Sequence, residues 1–316
     1  MKILITGAKG FVGQRLWDAL SKNPNYELFD PFDKDKYDLC YHDDVDYLFS
    51  IAEPDVVIHL AAIVGGIGAN AANPGIFMRD NLEMGINVIN SALDYKVKKF
   101  IMTGTVCMYP KHTKVPFVET DIWNGYPEET NAPYGIAKKT LMELCIAYNK
   151  QYGFNAINLI PVNMYGPGDC FDPTKSHVIP AIILKVYKAL INNDPSITIW
   201  GTGNATREFL YVEDFVNAVV LALEKEPGPQ PINIGTGQEI SIGALVEFIC
   251  KKMQYHGDIM FDKTKPDGQP RRCLNVNRAK SALGYESSID LDLGLNYTIE
   301  WFLQNVTNWS KCSFTG

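Results

Sequence analysis

The sequence predicts an α/β chain built on a doubly wound parallel sheet, with a smaller C-terminal domain interleaved with it. Three observations predict this. Short apolar runs of β type alternate with helix-length amphipathic segments through the first half. Three glycines, Gly7, Gly10 and Gly13, separate the first run from the first helical segment. The composition changes after residue 163 and later reverts. Together they define a Rossmann-type sheet whose chain leaves, builds a second unit and returns.

Taken in order, residues 2–5 read as strand and 11–20 as helix. A second short run covers 27–30, and the turn-rich stretch DPFDKDKYD follows. Residues 46–52 read as helix, 56–60 (VVIHL) as a buried strand and 81–93 as helix. Then come the strand 98–103 (KKFIMT), a long amphipathic helix at 134–148 and a strand at 156–160. A loop rich in Gly, Pro and Asp (MYGPGDCFDPTKSH) precedes a helix at 178–192 and the run ITIWG. Residues 210–223 and PINIG return to the earlier style, and 242–252, 258–261 and about 290–304 complete the chain. The expected dinucleotide-binding domain is 1–164 plus about 210–236. The expected substrate domain is 165–209 plus 237–316.

Bulk properties exclude several classes. The 316 residues are 46% hydrophobic, enough for a full core. The net charge is −7 with no polybasic block, so neither nucleic acid nor a membrane is an expected partner. The N-terminal apolar run is too short for a signal-peptide core, and no later stretch is long enough to span a bilayer. Seven cysteines at irregular spacing, without C-x-x-C, and five scattered histidines indicate neither a disulfide framework nor a metal site. A soluble, cytoplasmic protein is expected.

The G-x-x-G-x-x-G turn lets backbone N–H groups approach a pyrophosphate at the positive end of a helix. Its context, strand before and helix after, points to a nicotinamide dinucleotide rather than an unliganded turn. Asp30 closes the second run, where a carboxylate accepts from an adenosine ribose and repels a 2′-phosphate, favouring NAD(H). Lys9, inside the turn, could neutralise such a phosphate and admit NADP(H), and Asp38 could touch the adenine. Tyr134 and Lys138 form Y-x-x-x-K, one helical turn apart on one face. An ammonium beside a phenol is expected to lower the phenol toward a useful range for proton transfer. Thr105, beyond the strand KKFIMT, offers a hydroxyl for the same carbonyl oxygen.

A glycine turn, a Tyr–Lys pair and a hydroxyl residue in this arrangement resemble the extended short-chain dehydrogenase/reductase superfamily. Longer blocks narrow the resemblance: HLAAIVGGIGAN, GTVCMYPK, ETNAPYGIAKK, PVNMYGPGDCFDPTKSHVIPA, WGTGNATREFLYVEDF and TKPDGQPRR. They are similar to the GDP-L-fucose synthase family across nearly the whole chain. That family carries out 3,5-epimerisation and then 4-reduction of GDP-4-keto-6-deoxy-D-mannose with NADP(H). The resemblance makes Cys107 and His177 the epimerisation acid and base, beside Tyr134, Lys138 and Thr105. It implies cofactor contacts from Gly7, Lys9, Gly10, Phe11, Val12 and Gly13, then Asp30, Asp38, Leu39 and Ala61, and finally Tyr134, Lys138, Asn163 and His177. It also implies nucleotide-sugar contacts from Lys185, Trp200, Arg207 and Asp267, and a homodimer joined through helices near 81–93 and 134–148.

Read from the residues alone, Cys107 is equally a small buried hydrophobe, His177 a pin for the following helix and Trp200 plain core. Two departures from the family stand out: Thr105 replaces the more usual serine, and Val106 a second one. Two other readings remain: a GDP-mannose 3,5-epimerase or reductase of another 4-keto GDP-sugar, and a dinucleotide-sensing regulator. The second fits poorly with retention of both Tyr134 and Lys138.

Overall fold

The apolar runs become strands because helices cover both faces of the sheet they form. A computed structural model describes residues 1–30, 37–173 and 176–306. Residues 31–36 of the expected turn, Thr174 and Lys175 of the loop ahead of His177, and Cys312 lie outside the described residues. The strands are β1 (Lys2–Thr6), β2 (Glu27–Phe29), β3 (Val56–His59), β4 (Lys99–Thr103), β5 (Ala156–Pro161), β6 (Asn163–Tyr165), β7 (Ser196–Trp200), β8 (Thr206–Tyr211), β9 (Ile232–Ile234), β10 (Glu239–Ser241) and β11 (Asp258–Asp262). The helices are α1 (Phe11–Leu20), α2 (His42–Ala52), α3 (Ile67–Ala72), α4 (Pro74–Asp94), α5 (Ala132–Tyr152), α6 (Val178–Asn192), α7 (Val212–Glu224), α8 (Ile242–Lys252), α9 (Asn277–Leu283) and α10 (Leu291–Asn305).

The main sheet is parallel, in the order β2-β1-β3-β4-β5-β9. Alternate side chains of each strand enter opposite layers. Ile3, Ile5, Ile58 and Ile101 pack with Leu16, Phe215, Val219 and Leu283, from α1, α7 and α9. Leu4, Val57, Phe100 and Met102 pack with Phe49, Val88, Ile89 and Leu141, from α2, α4 and α5. Strand order reverses at β1, whose neighbours are β2 and β3, so a crevice opens beyond the carboxyl ends of β1 and β3. Among the described residues, no helix is long and apolar enough to cross a membrane.

A second core is built from Tyr165, Phe171, Ile183, Phe209, Leu245, Ile249, Leu295 and Phe302. It holds the three-stranded sheet β10-β8-β6, the pair β11-β7, and helices α6, α8 and α10. Leu274, Ala279, Leu283 and Tyr285 pack instead on the main-sheet core, although they fall within 237–316. Chain after β10 therefore serves both cores.

Several elements differ from the sequence reading. Helix α4 starts at Pro74, not near residue 81, because proline is tolerated in a first helical turn, where its missing N–H would be unpaired. Helix α2 starts at His42, with Asp43 and Asp44 in its first turn where they complement the helix dipole. Strands β6 and β10 and helices α3 and α9 are too short to carry a periodic signal.

Candidate active site

The glycine turn packs backbone against backbone at the crevice. Gly7 has φ +78°, and a Cβ there would lie 2.8 Å from the Ala61 nitrogen, just beyond β3. A Cβ at Gly13 would overlap the Gly7 carbonyl oxygen. Gly10 donates its N–H to that same oxygen (3.0 Å) and precedes α1 with no side-chain cap, so the first-turn N–H groups of Phe11 and Val12 are left for an anion. Thr6 Oγ1 lies 2.8 Å from His59 Nδ1 and accepts from the Ala61 N–H (3.3 Å), which fixes the rim opposite the turn. The cradle fits a dinucleotide pyrophosphate.

Asp30 directly follows β2, and Lys9 is exposed on the turn. Asp38 is tied into local structure. Its carboxylate accepts from the Cys40 N–H (3.0 Å), and its own N–H donates to Asp44 Oδ2 (2.9 Å). Leu39 is half-buried against the α2–α4 layer, and its carbonyl accepts from Asn87 (3.0 Å).

Beyond β4, Thr105 leads into a tight helical turn over Val106–Met108, and its Oγ1 accepts from the Cys107 N–H (3.2 Å). Helix α5 presses on this turn at Gly135, where any Cβ would overlap the Cys107 carbonyl. That close approach brings Tyr134, Thr105 and Cys107 together. Burial holds the Tyr134 phenol above its ordinary range; the Cys107 sulfur adds to this and a hydrogen bond with Thr105 opposes it. The expected lowering by Lys138 is not seen: Lys138 is not among the groups acting on the phenol, and burial favours its neutral form. Lys138 is itself buried, makes no hydrogen bond among the described residues, and is pushed down to about 8 by desolvation. His59 is pushed down to about 3, by burial first and by Lys138 second, so it is neutral.

Asn163 spans two strands and a loop. Its Nδ2 donates to the Glu208 carbonyl (3.2 Å) and its Oδ1 accepts from Arg272 Nη1 (3.4 Å). His177 stands immediately before α6 in extended backbone, and its ring does not cap the helix. The ring reaches solvent, yet the surrounding protein lowers its basicity through desolvation. The neighbouring Ser176 carbonyl lies 3.0 Å from the place of a Cβ on Gly66, so the start of α6 abuts the loop after Ala61.

On the other side, Arg207 donates from Nη1 to its own strand at the Thr206 carbonyl (2.7 Å) and from Nη2 to the Asp267 carbonyl (2.9 Å). Burial and the adjacent Arg272 push its guanidinium down to about 9. The Asp267 carboxylate accepts from the N–H (2.7 Å) and hydroxyl (2.8 Å) of Thr202, so it shapes the turn after β7. Trp200, the last residue of β7, is 54% exposed, with Lys265 Nζ 5.4 Å from its ring centroid, so it is not core. Lys185 reaches from α6 to the Thr198 carbonyl on β7 (2.8 Å).

Sequence reasoning missed Arg272, Gln269, Glu208 and Gly135. The first two lie in the quoted block TKPDGQPRR, but nothing in that block shows what they touch. Arg272 Nη1 reaches Cys107 Sγ at 3.8 Å. Glu208 is fully buried and accepts from the N–H groups of Thr236, Gly237 and Leu274, which ties the 264–274 segment to β8.

The model of the NAD dependent epimerase/dehydratase family matches residues 3–235. A GDP-L-fucose synthase of Sinorhizobium fredii is 40% identical over 97% of both chains. Among solved structures, a GDP-6-OMe-4-keto-L-xylo-heptose reductase from C. jejuni is 28% identical, covers 96% of this chain and 97% of its own, and superposes with a TM-score of 0.89. A GDP-L-fucose synthetase from Naegleria fowleri bound to NADP is 27% identical, covers 96% and 94%, and has a TM-score of 0.84. With its parallel sheet, its glycine cradle and its Tyr134–Lys138 pair, the chain belongs to the NAD dependent epimerase/dehydratase family.

Proposed function

We propose that this chain makes GDP-L-fucose from GDP-4-keto-6-deoxy-D-mannose, by 3,5-epimerisation followed by 4-reduction with a reduced nicotinamide. The observation that carries this reading is the packing of Gly135 against Cys107, which sets a thiol beside the phenol and hydroxyl of a ketone-reducing site. A reductase alone has no use for that thiol. The C4 ketone acidifies the protons on C3 and C5. Cys107 and His177 then serve as the proton-transfer pair, and Thr105 and Tyr134 donate to the enolate oxygen. The nicotinamide, when bound, supplies hydride to C4. Tyr134, held protonated by its surroundings, gives the proton to the resulting alkoxide, and Lys138 provides a positive charge near the ribose and phenol. Lys185, Trp200, Arg207 and the Asp267 turn take the GDP portion. The single test is incubation with this substrate: absorbance near 340 nm falls as the reduced cofactor is consumed, and the product carries inverted C3 and C5.

The likeness to a 4-keto-heptose reductase supports a second reading, reduction of another 4-keto GDP-sugar. Consumption of reduced cofactor without inversion favours it, and isomerisation of GDP-mannose alone favours an epimerase.

Asp30 at the end of β2 supports preference for NAD(H), against the NADP-bound relative. Asp30→Ala is expected to shift the ratio of dissociation constants toward NADP(H) by about tenfold, roughly 1.4 kcal/mol, read by titration with both reduced cofactors. Helices α4 and α5, which expose Ile76, Ile86 and Tyr152, are the surface we assign to a homodimer. Six free cysteines among the described residues fit the cytoplasm.

A further inference from the structure

Arg207 and Arg272 are both buried, and among the described residues neither makes a direct ion pair with a carboxylate. Both terminal nitrogens of Arg207 are used on backbone carbonyls. The nearby Asp267 carboxylate is engaged by Thr202. The Asp267 and Glu128 carboxylates act on Arg207 at longer range, whereas Arg272 Nη1 faces Asn163 Oδ1 at 3.4 Å and the Cys107 sulfur at 3.8 Å. Arg272 cannot swing away. Its Nε donates to Gln269 Oε1 (3.1 Å), and Gln269 Nε2 donates to the carbonyls of Pro110 (3.1 Å) and Lys111 (3.2 Å), on the loop that carries Cys107. Glu208 anchors the same segment through the Leu274 N–H.

We infer that Arg272 is the charge partner of Cys107, favouring and aiming its thiolate for the proton transfer assigned to Cys107 in the proposed function. Arginine keeps its charge at every relevant pH, and in a water-poor site its pull on a thiolate is strong. The charged and titratable groups facing the sulfur are Tyr134 from α5, Arg207 from β8 and Arg272 from the segment before α9. The carboxylates of Glu128 and Asp267 act on Arg207, and Arg272 is the cation in contact with the sulfur. In the step itself, the C3–H or C5–H bond breaks, an S–H bond forms, and the electron pair enters the enolate. His177, entering the step as imidazolium, delivers its proton to the opposite face of the carbon and becomes neutral imidazole, and proton exchange with solvent restores the thiolate and the imidazolium. Arg272 acts through Cys107, so it is a positioning residue. The assignment of the step rests on the proposed function; the state of the sulfur does not.

The test is the pH profile of iodoacetamide alkylation of the full-length protein, with Cys107 followed by peptide mass spectrometry. The wild type is expected to react readily at neutral pH. Arg272→Gln should lower the Cys107 rate at pH 7 about tenfold and move its profile to higher pH, whereas Arg272→Lys should recover much of the loss. A profile identical in wild type and Arg272→Gln overturns the inference. Should Arg272→Gln not fold, thiolate absorbance near 240 nm, wild type minus Cys107→Ser, decides alone. A midpoint at or above the ordinary thiol value of about 8.5 overturns it. No sugar is present in either measurement, so failure of the proposed reaction leaves this result readable.

Discussion

Tyr134→Phe is expected to lower kcat for ketone reduction by about 10²- to 10⁴-fold, because it removes the acid that protonates the alkoxide as hydride arrives. The phenol is well placed for that role. Its surroundings keep it neutral, and Thr105 orients it. The substitution leaves the glycine cradle and the Cys107 turn untouched, so cofactor affinity should change by no more than about twofold. Deuterium should still enter C3 and C5 from solvent, more slowly than in the wild type but with a smaller loss than reduction, since the thiol and imidazole remain and Thr105 still donates to the enolate oxygen. Oxidation of reduced cofactor and deuterium incorporation, followed together, separate the two halves of the reaction. Equal loss of both would mean that Tyr134 is needed for enolate formation as much as for reduction.

Cys107→Ser is expected to do the reverse. A serine hydroxyl is far too weak an acid to supply an anion at neutral pH, so deuterium incorporation at C3 and C5 should fall by about 10²- to 10⁴-fold. Serine preserves the turn, because the backbone N–H of residue 107, not its side chain, donates to Thr105. A loss of stability therefore does not explain the outcome, and thermal melting checks this. Reduction of a substrate whose C3 and C5 are already inverted should survive. Unchanged incorporation would remove the thiol from the proton-transfer pair and leave a reductase.

The division of the chain into strands and helices was legible because the main sheet is buried on both faces and its strands read as apolar runs. The glycine turn and the Tyr134–Lys138 pair were legible for a similar reason: local spacing forces their geometry. What could not be read lies where distant segments meet. Nothing near Arg272 in sequence indicates that it reaches a sulfur on the loop after β4. Gly135 reads as an indifferent helical residue until the Cys107 carbonyl is seen against it. Spacing puts Lys138 one turn from Tyr134 on α5, but the state of the phenol is set by burial, which spacing does not report. Asp267 reads as a ligand for hydroxyls, and nothing in its block shows that its carboxylate also braces Thr202. Residues 274–285 resemble the rest of the C-terminal region in composition, yet they join the main core because α9 completes the layer beside α7.

Lys138 carries a consequence for the durability of the protein. Holding a buried ammonium at about 8 instead of 10.5 costs the folded chain about 3 kcal/mol at neutral pH, since the unfolded chain keeps that proton more readily. The penalty fades as alkalinity climbs from about 8 to 10.5, so resistance to unfolding from this group grows over that interval. An apolar residue of similar length would make a sturdier fold and a poorer catalyst. Robustness alone would favour the apolar residue; what the site gains in exchange is a positive charge on the face that carries Tyr134.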